Sequence, residues 1–74
     1  MTMKTVTVNV WREDDGYVSL CPELDIASQG DTVEQARDNL REALELFFEY
    51  ASSQEIDQRY HEEVYTTHLE IAVA

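Results

Sequence analysis

Residues 5–21 read TVTVNVWREDDGYVSLC, two alternating runs on either side of a polar turn, and this pattern sets the fold class. Val6, Val8 and Val10 fall on one side of the first run, with Thr5, Thr7, Asn9 and Trp11 on the other. That period of two is what a half-buried strand requires. Glu13, Asp14, Asp15 and Gly16 interrupt the run, and Asp15-Gly16 suits the positive φ of a tight hairpin turn. A second strand returns through Tyr17 to Cys21, with Val18 and Leu20 expected to continue the buried face and Tyr17, Ser19 and Cys21 to point the other way. Pro22 stops it, because proline donates nothing to a ladder and holds the preceding Cys21 extended. Leu24, Ile26 and Ser28 then alternate with Asp25, Ala27 and Gln29, a short third strand ending at Gly30.

Beyond Gly30 the period changes. Asp31 or Thr32 can cap a helix, with Glu34 or Gln35 three residues later completing a capping box in either register. Val33, Ala36, Leu40, Ala43, Leu44, Phe47 and Ala51 then recur at helical spacing, one apolar face, while Glu34, Asp38, Glu42, Glu45 and Glu49 occupy the opposite one. Arg41 and Glu45 are the obvious i,i+4 ion pair. Ser52, Ser53 and Gln54 are expected to end the helix, and Glu55 to Glu62 reads as a loop or a short extra turn. From Val64 to Val73 alternation returns, with Leu69, Ile71 and Val73 on one face and His68, Glu70 and Ala72 on the other, predicting a fourth strand. The order βββαβ predicts a two-layer α+β domain, an antiparallel sheet packed on one long helix. The second sheet face, expected to carry Trp11, Tyr17, Cys21, Ala27 and Tyr65, has no further element to cover it.

Composition narrows the function. The 74 residues suffice for one domain spanning 1–74. Sixteen acids against five Lys plus Arg give a formal charge of −11, so a nucleic-acid backbone would be repelled and is not an expected ligand. At 43% hydrophobic the chain is too apolar for an acidic disordered tail and is expected to fold. The margin is narrow, since a domain this small rarely gains more than roughly 3–5 kcal/mol from its core. Cys21 is alone and cannot form an internal disulfide, and no run has the length of a signal core or a membrane span. A soluble cytoplasmic protein with no membrane association is the expectation.

Asp15-Gly16-Tyr17-Val18, Cys21-Pro22-Glu23-Leu24, Ser28-Gln29-Gly30-Asp31-Thr32, Glu34-Gln35-Ala36 and Leu40-Arg41-Glu42-Ala43-Leu44-Glu45 follow one another in an order and spacing that resemble the N-terminal domain of HicB-type antitoxins. The match runs from Trp11 to Ala51, a little over half the chain. The resemblance implies a partial ribonuclease H-like fold, a dimer or tetramer, and a partner in the small basic HicA toxin, which cleaves mRNA and which the antitoxin caps. An acidic surface suits that role, because it can occupy a cationic RNA-binding face and compete with phosphate. Many relatives also carry a C-terminal DNA-binding segment, which these residues lack, so operator binding by this chain is not expected. A short-form antitoxin and a stand-alone homo-oligomeric interaction module without a toxin both remain open.

No enzyme is expected. A metal-dependent nuclease of this outline needs several carboxylates converging near the sheet centre, and the first strand offers Asn9 and no acid before Glu13. His61, His68 and Cys21 have no zinc-ligand spacing, so neither metal nor cofactor is implied. The residues expected to contact a partner are Trp11 and Tyr17, as large aromatics on an uncovered sheet face, and the acids Asp14, Asp15, Glu23 and Asp25 around the two strand connections. Gly30, Asp31, Thr32 and Ala36 are assigned to turn, cap and close packing.

Overall fold

The computed structural model describes residues 3–74. Three antiparallel strands, β1 (Asn9–Glu13), β2 (Gly16–Cys21) and β3 (Ile26–Gly30), form a meander in the order β1-β2-β3. Helices α1 (Val33–Tyr50) and α2 (Ser53–Arg59) follow. The sheet packs on α1, the α+β arrangement that the change of period predicts.

Register decides which side chains lie under the helix. Glu13 pairs with Gly16, leaving Asp14 and Asp15 as a two-residue loop, and the ladder continues as Trp11 with Val18, Val10 with Ser19 and Asn9 with Leu20. Asp14, not Gly16, takes the left-handed φ of 53°. Aspartate tolerates this region because its short side chain bonds locally. With this turn Val10 shares a face with Ser19, and the expectation that Val18 and Leu20 continue the Val6-Val8-Val10 face is overturned. Ser19 and Cys21 are fully buried under α1 instead, and Val18 and Leu20 join Trp11 on the uncovered face. A one-residue change in loop length moves a whole strand's side chains to the other face.

The helix face is graded in size. Near the start of α1 it is made of Ser19, Ser28, Gly30 and Ala36, and the buried Ser19 hydroxyl donates to the Ala36 carbonyl at 2.7 Å. A Cβ on Gly30 would lie 2.5 Å from the Ala36 nitrogen and 2.7 Å from the Gln35 carbonyl carbon, so glycine here lets the strand touch helix backbone. Further along, Cys21, Leu24, Leu40 and Leu44 form the core, with Val6, Ile26, Phe47, Phe48 and Tyr60 packed round it. Phe47 and Phe48 meet edge to face at 5.4 Å.

Capping resolves the helix ends. Thr32 is the N-cap of α1, accepting from the Gln35 N–H at 3.0 Å, while the Gln35 side chain returns to the Asp31 N–H at 2.9 Å. At the other end Ser52 begins a helix rather than ending one, its hydroxyl accepting from the Glu55 N–H at 3.1 Å. Arg59 at the close of α2 donates to the Leu24 carbonyl at 2.9 Å and sits over the Phe47 ring, locking α2 onto the β2–β3 connection. The expected Arg41–Glu45 pair is not made; Arg37 pairs with Asp38 at 3.7 Å on the surface.

Two strand predictions change at the termini. β1 begins at Asn9 rather than Thr5, and Val64 to Val73 forms no strand. The segment leaves the body after the His61 N–H donates to the Glu23 carbonyl at 2.7 Å, and Tyr65, Leu69, Ile71 and Val73 are exposed. Alternation makes a segment fit to be a strand, but a strand exists only against a neighbour, and this one meets none among the described residues of its own chain. No described helix is long and apolar enough to cross a membrane.

Candidate functional site

The hairpin turn and the start of α1 lie side by side because β2 and β3 both reach that end of the sheet, Tyr17 pairing with Gly30. Between them is an open hollow of about 770 Å³ lined by Glu13, Asp14, Asp15 and Tyr17 on one wall and by Gly30, Asp31, Gln35 and Asn39 on the other. Asn39 is held there by donating to the Gln29 carbonyl at 2.8 Å, and Gln35 by its bond to Asp31. Both amides thus serve the wall itself.

Four carboxylates, those of Glu13, Asp14, Asp15 and Asp31, border this hollow, and no lysine or arginine lines it. The nearest cation in sequence, Arg12, stacks over the Tyr17 ring at 5.9 Å. The arrangement attracts cations and guanidinium groups, and it holds no nucleophile-base pair. Among the described residues no group of three or more His, Cys, Asp or Glu could hold a metal ion.

Of the six residues expected to contact a partner, Asp14, Asp15 and Tyr17 come together here. Trp11 is 43% exposed, but it pairs with Val18 on the uncovered sheet face, whereas Tyr17 pairs with Arg12 on the helix face. The two aromatics therefore do not share a surface, for the same register reason that inverted β2. Asp25 lies in the β2–β3 connection with φ 54°, one strand length away, roughly 17 Å.

Glu23 is a correction. It is 6% exposed and its carboxylate is directed inward, accepting from the Thr7 N–H at 2.9 Å and the Thr7 hydroxyl at 2.7 Å, with the Cys21 thiol at 3.4 Å. Burial pushes its pKa up, but the Thr7 hydroxyl and N–H more than offset this, and the carboxyl is held below its ordinary value. Its backbone carbonyl takes the His61 N–H, so Glu23 ties the chain before β1 to the chain after α2. Beside it, burial first and the Glu23 carboxylate with it raise the Cys21 thiol pKa, despite the Leu24 backbone hydrogen bond that lowers it. Both residues are structural.

Glu13, Asp31, Gln35 and Asn39 are the site residues that sequence reasoning did not select. The signal was available for Asp31, which neighbours the N-cap, because a helix start and a hairpin turn are the two places where a meander brings polar loops together. No known family model, curated protein or solved structure matches this chain.

Proposed function

We propose that this chain is a HicB-type antitoxin, a cytoplasmic protein without catalytic chemistry or cofactor that binds a small basic HicA-type toxin and occludes its RNA-binding surface. The observation that carries this reading is a coincidence of place. Asp15-Gly16-Tyr17 and Gly30-Asp31, taken from separate blocks of the HicB-like sequence, meet at one hollow bordered by four carboxylates. A rim of that kind complements a surface evolved to hold phosphate, and a net charge of −11 steers a basic partner towards it while keeping nucleic acid away. Asp14, Asp15 and Tyr17 are the contact residues at the hollow, with Trp11, on the uncovered sheet face, and Asp25, at the far end of the sheet, as separate contacts outside it.

The test is co-expression with the adjacent reading frame encoding a small basic protein. Growth arrest by that protein is expected to be relieved by this chain, and relieved less by the Asp14→Lys/Asp15→Lys double variant, whose reversed charges repel a cationic partner. Arrest that persists unchanged in the presence of this chain would refute the reading. A stand-alone homo-oligomeric module is the second reading, favoured by the exposed apolar residues at the C-terminal end of the chain.

A further inference from the structure

The sheet has two edges, and they are not equivalent. On β3, the Gln29 carbonyl is occupied by Asn39 and the strand lies under α1. On β1, no hydrogen bond to the outer side is made by any described residue. Strand backbone groups point alternately to the two sides, and the tight turn makes Glu13 and Gly16 a hydrogen-bonded pair, as the inward Thr7 N–H also indicates. The N–H and C=O groups of Val8, Val10 and Arg12 therefore face the free edge.

The free edge adjoins a groove. Because α1 sits over β3 and β2 and barely reaches β1, a trough of about 470 Å³ lies along the helix flank. Its apolar lining is Met3, Val6, Val8, Leu44 and Phe48, and Lys4, Arg37 and Arg41 stand round it with a single acid, Glu45, so its charge is net positive. The lysine and two arginines are three of the chain's five cationic residues, gathered on a molecule of charge −11. A strand added beside β1 would place alternate side chains in this trough.

The C-terminal segment has the matching properties. Leu69, Ile71 and Val73 are 82%, 72% and 88% exposed, at spacing two, in residues rich in β-branched and aromatic types. Glu62, Glu63 and Glu70 accompany them, opposite in sign to the trough. Thr67 to Val73 extends roughly 23 Å as a strand, the same as Val6 to Arg12. Among the described residues of its own chain the segment makes no backbone hydrogen bond beyond His61, and the trough beside them is open.

We propose that Thr67–Val73 of one copy forms the fourth strand of a second copy, pairing with the outer edge of β1 and seating Leu69, Ile71 and Val73 in the trough between β1 and α1. The exchange is reciprocal, so a two-fold dimer closes both troughs and both edges at once. Residues 62–74 carry three glutamates and no lysine or arginine, so each segment brings net negative charge to the end of the partner copy where Lys4, Arg37 and Arg41 gather, although Glu70 itself alternates to the other sheet face; this offsets part of the repulsion between two strongly acidic bodies. This inference rests on self-association and not on any toxin.

Sedimentation of the full chain, from about 1 to about 100 μM because dimers respond to concentration, is the first arm. The wild type is expected to dimerise. Ile71→Glu, altered in the segment alone, and Val8→Glu, altered in the trough alone, are each expected to weaken dimerisation by at least about 30-fold, as for loss of an interface anchor. Their equimolar mixture is expected to associate again, since one intact segment meets one intact trough, a rescue that misfolded variants cannot give. A monomeric wild type, an Ile71→Glu chain that dimerises as well as wild type, or a mixture of the two variants that stays monomeric would overturn the proposal. So would protection of the 68–73 amides from exchange in a monomer, which would mean that the segment closes its own trough. Because the toxin reading is measured by growth rescue, each reading can fail alone.

Discussion

Replacing Gly30 by alanine separates two effects that usually act together at a glycine. Gly30 does not have a positive φ, so alanine suits its backbone and should, through the unfolded state alone, stabilise by about 0.4–1 kcal/mol. The helix opposes this. The new Cβ would lie 2.5 Å from the Ala36 nitrogen and 2.7 Å from the Gln35 carbonyl carbon and Cβ, against an ordinary contact of at least 3.4 Å. Two of these three neighbours are backbone, held by the Thr32 cap and by the Ser19–Ala36 hydrogen bond, so the first turn of α1 must retreat by most of an ångström. Overpacking costs about 1–3 kcal/mol, and a clash this close with backbone belongs in the upper part of that range, about 2–3 kcal/mol, so after the entropic gain of about 0.4–1 kcal/mol the net loss is about 1–2.6 kcal/mol. For a domain of this length, at about 4–8 °C per kcal/mol, that is a fall in Tm of about 4–21 °C. The assay is thermal denaturation followed by helical circular dichroism at one fixed protein concentration. Gly16→Ala is the comparison, because its Cβ meets a single atom, the Gly30 carbonyl oxygen, at 3.1 Å, and the loss there is expected to be smaller. A Gly30→Ala chain that melts at or above the wild-type temperature would show that helix and strand do not approach as described.

Glu23 should make stability depend on pH in a defined direction. Its pKa is lowered in the folded chain, so its contribution is complete above the ordinary glutamate value of about 4.3 and is lost as pH falls through the lower folded value. Glu23→Gln is expected to melt lower than wild type at neutral pH, by about 1–3 kcal/mol, with the gap closing below about pH 4; a gap that stays constant to pH 3 would contradict the assignment. Cys21, fully buried with a raised pKa, should resist alkylation at pH 8 in the folded chain and react at once in denaturant. Rapid labelling of the native protein, read by mass spectrometry, would count against that burial.

Element type was legible from local pattern: period two for the strands, period 3.6 for α1, proline after Cys21 and a capping residue before Val33 each act within a few residues. The small-residue cluster of Ala36 and Gly30 was legible too, because caps and close helix packing demand particular side chains. Site membership was only partly legible. Asp14, Asp15 and Tyr17 could be selected as exposed or aromatic residues near a turn, but Glu23 carries the same local signals and is buried, since its fate depends on Thr7, sixteen residues away.

By itself the sequence determined that the chain is acidic and of the α+β class, built as a strand meander followed by a long amphipathic helix. Those properties follow from hydrophobic spacing and summed charge, which need no knowledge of what meets what. The tertiary structure alone decided which face of β2 is buried, because a two-residue loop and a three-residue loop read alike in sequence yet invert every side chain of the returning strand. It also decided that Val64 to Val73, strand-like in every local respect, is not a strand in its own chain. A helix makes its hydrogen bonds within the segment, whereas a strand's bonds belong to a neighbour, and only three dimensions say whether one is present.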